Sequence, residues 1–327
     1  MTRFRREASC SDCESRLDRR DFLVAGAAAA GALGLPAVAA RSLLAAPTGR
    51  SGAEVAVAEL YASLDDSQRK IVALPLDDPR RTKINPNWSI TSANIGSFTK
   101  VQQELIHRVL KGITSEDGYA RFVRQMTEDW GSVDKYSIAI FGDPQGDAFE
   151  FELTGRHLTL RADGDTTGAA AFGGPIVYGH SKKGNSDANL FSHQTKRANE
   201  VFAALDEKQR AAALLETPPG ESAVALRKPD EAQLGIAGKD LSADQKELVL
   251  NVLRDILAPY RQEDVDEAME AVKAGGGVDA LSIAFFRQGD LDDDKQWDIW
   301  RLEGPTLTTH FRGAPHVHAY INIAKQA

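Results

Sequence analysis

The 327 residues carry 39 Lys and Arg against 47 Asp and Glu, with no basic stripe interleaved with aromatics, which argues against nucleic acid and anionic membrane surfaces as partners. Both cysteines, Cys10 and Cys13, precede an Ala/Gly-rich run, so the chain beyond it has no thiol for a disulfide, a nucleophile or a metal cluster. Its stability must come from a packed core, for which ~290 residues are ample.

Residues 1–40 read as a leader: a polar, Arg-containing start runs into DRRDFLVAGAAAAGALGLPAVAA, which ends in the small residues of a cleavage site. Arg19-Arg20-Asp21-Phe22-Leu23 resembles a twin-arginine export signal, with Asp18 in place of the usual Ser or Thr and Val24 in place of a common Lys. The expectation is passage through the twin-arginine machinery to a periplasmic or extracellular place. Left uncleaved, the run would be a membrane anchor, and a poor one, since ~18 residues dominated by Ala and Gly only approach the length of a span. A Cys10/Cys13 site would lie on a discarded peptide. Residues 41–52 are small and polar, a flexible linker.

From residue 53 the pattern turns helical. Val55, Leu60, Leu64 and Ile71 fall at helical spacing, and Asp65-Asp66-Ser67 caps a second turn, which predicts two short helices. Residues 77–96, with two prolines, are a loop. Residues 98–126 are helical, with Val101 and Leu105 on the inner face and a turn at Ser115–Gly118. The segments YSIAIFGD and AFEFELTGRHLTLRADG then alternate in period two around Gly142-Asp143-Pro144 and Thr154-Gly155, as antiparallel strands do. Residues 165–185 form a small-residue loop, and 186–215 are helical again.

The second half echoes the first. ELYASLDDSQRK at Glu59 returns as EVFAALDEKQRA at Glu200, VQQELIHRVL at Val101 as DQKELVLNVL at Asp244, SIAIF at Ser137 as SIAFF at Ser282, and GRHLTL at Gly155 as GPTLTT at Gly304. Kept order and slowly growing offsets are what a duplication with small loop insertions produces. The expected fold is therefore α+β, with two tandem pseudo-symmetric helix-then-strand repeats, 53–185 and 186–327, sharing one antiparallel sheet flanked by helices. Aligning GGPIVYGH at Gly173 with GAPHVHAY at Gly313 sets Ile176 and Tyr178 where the second half has His316 and His318. A scaffold needs the same residue type in both copies; a site needs it in one.

Residues i and i+2 of a strand face the same way, so His316 and His318 present two imidazoles to one metal ion. A three-residue turn at Gly313–Pro315 pairs His310 with His318 and puts all three on one face, whereas a two-residue turn turns His310 away; Pro315, lacking a ladder donor, favours the former. His157 in GRHLTL is the further candidate, from a strand able to approach the same ribbon. Three imidazoles with an open position suit zinc, copper or iron. His180 and His193 read as solvated or capping groups, and His107 as a partly buried helix residue. LDDDK at Leu291 lacks the twelve-residue calcium loop, GAAAFGGP lacks a phosphate-loop Lys, and no Gly-x-Ser-x-Gly, His-Glu-x-x-His or kinase signature occurs.

Taken together, WGSVDKYSIAIFGDP, FELTGRHL before a Gly/Pro-bearing loop, WRLEGPTL and the closing HVH make the chain resemble the DUF3500 family over most of residues 55–320. The resemblance implies a G-x-H-L motif at Gly155, His157 and Leu158 and an H-x-H motif at His316 and His318, and it implies no reaction. The chain departs from the pattern after His318, where AYINIAKQA replaces an Arg-Asp segment and a longer tail. The leading functional expectation is an exported metalloprotein, an oxidoreductase or a hydrolase, with His316, His318, His157 and His310 as candidate ligands. The alternative is a metal-free envelope module that holds a small organic ligand between the halves.

Overall fold

The computed structural model describes residues 46–325 except 147, 169, 229 and 230. The leader, with its twin-arginine pair and both cysteines, lies outside the described residues. What is described is a mixed α/β fold of eight helices and an open eleven-stranded sheet.

The chain opens with α1 (Gly52–Ser63) and α2 (Asp66–Val72). Asp65 caps α2 reciprocally: its carboxylate accepts from Gln68 N at 2.9 Å, and the Gln68 side chain accepts from Asp65 N at 3.0 Å. The inner face of α1 is Ala53, Ala56, Val57 and Leu60, whereas Val55 and Ile71, expected inside, are 38% and 40% exposed. A two-residue strand β1 (Ala73–Leu74), a long loop, and helices α3 (Lys100–Gly112) and α4 (Glu116–Trp130) follow. Ser115 is not part of a turn but the N-cap of α4, accepting from Gly118 N at 3.0 Å. Val101 points outward at 64% exposure while Gln102 is buried, because the Gln102 amide pairs with that of Gln68 at 2.9 Å and fixes the rotation of α3.

Strands β2 (Ser137–Gly142), β3 (Phe149–Gly155), β4 (Leu158–Ala162) and β5 (Ile176–Lys183) come next. The predicted helix over 186–215 starts only at Ser192 and breaks at the Asp206 cap into α5 (Ser192–Ala204) and α6 (Glu207–Ala213). Short strands β6 (Leu214–Leu215) and β7 (Ile236–Ala237) bracket a second long loop. Helices α7 (Ala243–Leu257) and α8 (Gln262–Ala274) lead to β8 (Ser282–Phe286), β9 (Ile299–Glu303), β10 (Leu307–Arg312) and β11 (His316–Ile323).

The strand order is β1-β2-β3-β4-β5-β11-β10-β9-β8-β6, with β7 beside β8. The sheet is antiparallel except at its ends, where β1 runs parallel to β2 and β6 to β8. The expected flanking by helices holds on one face only. Ile138, Leu153, Leu160, Tyr178, Ile321, Trp300 and Phe285 point to one side and share a single core cluster with the apolar stripes of the helices. The opposite side carries Glu150, Glu152, Arg161, His318, His310 and Arg301, covered by loops 75–98 and 216–235, which bury only small apolar clusters such as Val177, Val224 and Tyr320. Charges on that side are buried in pairs: Arg161 contacts Glu150 and lies 3.1 Å from Glu152, and Arg81 lies 3.1 Å from Glu150. The longer strands β2–β5 and β8–β11 therefore show buried positions on both faces, and their alternation is between apolar and polar interiors.

Candidate metal centre

The middle of the polar side, where β4, β5 and β11 meet, brings His157, His316 and His318 together. His157 is not inside a strand as expected but in the tight turn between β3 and β4, with φ 57°. That left-handed conformation is uncommon outside glycine and costs of order 1 kcal/mol, held here by the surrounding structure. Leu158 pairs with Tyr178, so His157 sits one step beyond, level with Gly179, which in turn pairs with His318. Gly179 is required at this crossing: a Cβ there would meet Val317 O at 2.2 Å and His318 Cδ2 at 3.2 Å. With no side chain between them, the His157 ring reaches those of His316 and His318 at centroid distances of 4.9 and 4.7 Å. One ring nitrogen from each of the three lies within 4.8 Å of the other two, the only such ligand group among the described residues.

Hydrogen bonds fix which nitrogen each ring offers. Asp129, at the end of α4 with its side chain shut from solvent, accepts from His157 Nδ1 at 2.7 Å and also from Gln125 Nε2 and Ser181 N at 2.8 and 3.0 Å. Burial would raise its carboxyl, but these donors outweigh burial and hold it well below the usual carboxylate range. Glu221, from the second long loop, takes His318 Nδ1 at 3.3 Å and lies 3.2 Å from Arg312 Nε. Against the pull of burial, His318 and Arg312 bring Glu221 down to about 2. The Glu221 contact places the proton of the neutral His318 ring on Nδ1 and leaves its Nε2 as the acceptor, and the Asp129 contact likewise occupies Nδ1 of His157. His316 Nε2 accepts from Arg312 Nη2 at 3.3 Å and lies 3.0 Å from His318 Nε2.

Burial, with neighbouring imidazoles and Arg312, pushes His316 and His318 down to about 4, so both are neutral at neutral pH and no imidazolium proton bridges them. Facing unprotonated nitrogens on the neutral His316 and His318 rings would repel one another, and a cation between them removes that repulsion. Nitrogens ~2.0–2.1 Å from one zinc ion stand ~3.3 Å apart in tetrahedral geometry, close to the His316–His318 spacing of 3.0 Å. The residues fit a metal ion.

His310 does not join them. The ribbon pairs Arg312 with His318 and His310 with Tyr320, two residues out of step with the three-residue turn expected. His310 keeps the face but stands behind Arg312, buried, pushed down to about 4 by burial and Arg301, with Nδ1 lacking a partner. The likeness of Ile176 and Tyr178 to His316 and His318 does not survive the pairing either. Leu158 faces Tyr178 while Leu307 faces Ile323, so counting from the aligned leucines the position equivalent to Tyr178 is Ile323. His180 is buried, with Nδ1 accepting from Leu190 N at 3.2 Å and Nε2 donating to Glu128 at 2.9 Å. His107 bonds Tyr119 at 3.0 Å, and His193 is exposed on α5. The aspartates of LDDDK form a turn in which Asp292 pairs with Lys183 at 2.8 Å.

Asp129, Glu221 and Arg312 were not singled out by the sequence. One local signal existed for the first: Glu128 and Asp129 end a helix with no base in its last turn, where acids oppose the helix dipole. A family model described as "Protein of unknown function (DUF3500)" matches residues 49–322. No curated protein and no solved structure matches the chain.

Proposed function

The chain belongs to the DUF3500 family, and from its histidine cluster we propose that it is a mononuclear metalloprotein, with His157, His316 and His318 as ligands and an open position for a reacting group. The single observation that carries this reading is the convergence of three imidazoles, two of them hydrogen-bonded through Nδ1 to the carboxylates of Asp129 and Glu221. Bound there, zinc would supply Lewis acidity and an activated water for hydrolysis, and copper or iron would supply redox chemistry. The chain's own groups do the rest. Asp129 and Glu221 keep the Nδ1 protons of His157 and His318 in place, and the loops that cover this side of the sheet keep bulk water from the ligands. Measured by elemental analysis after native purification, the protein should carry close to one ion per chain, lost in the H316A/H318A double variant. Equal metal in the variant, or none in the parent, ends the reading.

We also propose that the two halves descend from a duplication. Support comes from pairings that repeat at matched offsets: Ala73↔Ile140 and Leu214↔Phe285 at either end of the sheet, and Ser137↔Thr154 and Ser282↔Glu303 next to them. The amide pair Gln68–Gln102 likewise returns as Gln209–Gln245, at 2.8 Å. Export of the folded, metal-loaded chain through the twin-arginine leader belongs to the same proposal; a reporter fused behind residues 1–45 should reach the periplasm only while Arg19-Arg20 is intact.

The second reading, a metal-free module for a small organic ligand, is favoured by one observation away from the histidines. A cleft of about 670 Å³ opens between the α3–α4 and α7–α8 turns, lined by Ser115, Tyr260, Val265 and Met269 among others. It requires ligand-induced thermal stabilisation that survives loss of His316 and His318 and disappears when Met269 and Val265 are replaced by Asp.

A further inference from the structure

Away from the histidines, a cavity of about 70 Å³ lies between the loop that joins β8 to β9 and the first turn of α5. Its floor is buried: Thr195 and Asp298 are 3% and 1% exposed. Asn185 lines one side, and the exposed side chains of Asp294, Gln296 and Lys196 stand at its mouth. With one water occupying ~30 Å³ in the liquid, the space holds an ion together with a water ligand.

Two oxygens on this floor lack hydrogen-bond partners among the described residues. Asp298 Oδ2 accepts from Leu291 N at 2.8 Å, but Oδ1 accepts nothing. The Thr195 hydroxyl makes no hydrogen bond at all. The two side chains are neighbours, since a Cβ on Gly313 would meet Thr195 Oγ1 at 3.1 Å and Asp298 Cβ at 3.2 Å, yet they do not bond each other. Buried oxygens without partners are uncommon and call for a group supplied from outside the chain. The charge is not met within the protein either. Lys196 pairs with Asp187 at 3.2 Å and Lys183 with Asp292 at 2.8 Å, and neither Asp294 nor Asp298 forms an ion pair among the described residues. The first turn of α5 brings about half a positive charge, which two carboxylates outweigh.

We infer that this cavity is a calcium site, separate from the histidine centre. Every lone pair its side chains offer is on oxygen: the carboxylates of Asp294 and Asp298, the Thr195 hydroxyl, and the amides of Asn185 and Gln296. Asn185 gives its amide N–H to Asp292 at 2.9 Å, which leaves its oxygen to coordinate. Zinc and copper favour nitrogen or sulfur, and magnesium demands a near-ideal octahedron, whereas calcium accepts ~6–8 oxygens in irregular geometry, waters included. Asp298 O in turn accepts from Gly313 N at 2.8 Å, so the ion would brace the turn between β10 and β11 that leads into His316.

The test uses the full chain freed of divalent ions by a chelator. Terbium(III), an oxygen-seeking stand-in for calcium, should bind and luminesce through Trp297, the residue before Asp298, and calcium should displace it saturably and raise Tm. Asp298→Asn and Asp294→Asn should each weaken calcium at least ~10-fold by removing a ligand charge. Thr195→Val should weaken it less, and without calcium should be no less stable than the parent, because the hydroxyl it removes bonds nothing. Calcium affinity equal in the parent and both Asn variants overturns the inference, as does a parent chain that binds neither calcium nor terbium. If Asp298→Asn does not fold, Asp294→Asn decides, since Asp294 is exposed. The calcium response should persist in H316A/H318A; its loss there assigns the ion to the histidines and overturns the separate site. Magnesium binding as tightly as calcium overturns the calcium assignment.

Discussion

Asp129 decides which nitrogen His157 offers. Replacing its carboxylate by the amide in Asp129→Asn keeps the shape but lets the side chain present an N–H, so the His157 tautomer is no longer enforced. The expected result is a folded protein whose metal affinity falls ~10–100-fold, read by competition with a chelator; unchanged affinity would remove Asp129 from the site. The same residues set a pH dependence. His316 and His318, pushed down to about 4 by burial, take up protons in the unfolded chain at ~6.5. Between these values the unfolded state binds more protons than the folded one, so metal-free protein should lose stability as pH falls through this window and change little from these groups above it. Denaturation of chelator-treated protein at pH 7.5 and 5.0 checks the sign. The H316A/H318A variant should show a visibly flatter dependence, and an equally steep one would mean that other groups dominate.

At the scale of elements, the crossing of β4, β5 and β11 is held open by a missing side chain. Gly179→Ala places a methyl 2.2 Å from Val317 O, so β5 and β11 must separate or shift. Destabilisation of ~1–3 kcal/mol is expected, together with weaker metal binding, measured by denaturant titration and chelator competition; a neutral substitution would mean that the strands are less tightly paired than described. The capping network gives a second, milder prediction. Gln102→Ala removes the amide that bonds Thr99 N at 3.0 Å, Ser63 O at 3.0 Å and Gln68 at 2.9 Å, and should cost ~1–2 kcal/mol without touching metal content.

The helices and strands were legible at this scale because period and capping residues are local. What misled was rotation within elements. Val101 looked like a core residue, yet Gln102 takes the inner place, since its partners on α2 and α1 lie 34 and 39 positions away in sequence. The ribbon register was likewise out of step: His316 leaves the β10 ladder to pair with Lys183 of β5, across a bulge before Val317. A turn read from its own residues cannot register the pull of a strand more than 130 positions upstream.

For the whole molecule, the central event is the β5–β11 pairing, which joins strands from the two halves and carries the histidines. A fragment of residues 46–185 leaves β5 as an unpaired edge and holds only His157 of the cluster, so it should be unstable or self-associated alone and recovered folded when co-expressed with 186–325. A stable, monomeric 46–185 fragment would contradict this. The intact chain should unfold in a single calorimetric transition, because one sheet runs through all of it.

The sequence by itself determined the family resemblance, the order of helices and strands, and the four candidate histidines, His157, His310, His316 and His318, since the H-x-H and G-x-H-L spacings depend on neighbours in the chain. Only the tertiary structure decided that His310 stands apart, that the helices cover one face alone, and that Asp129, Glu221 and Arg312 complete the site. The physical reason is distance along the chain. Asp129 meets His157 across 28 positions and Glu221 meets His318 across 97, and such meetings are set by sheet register and loop packing, which no local pattern records.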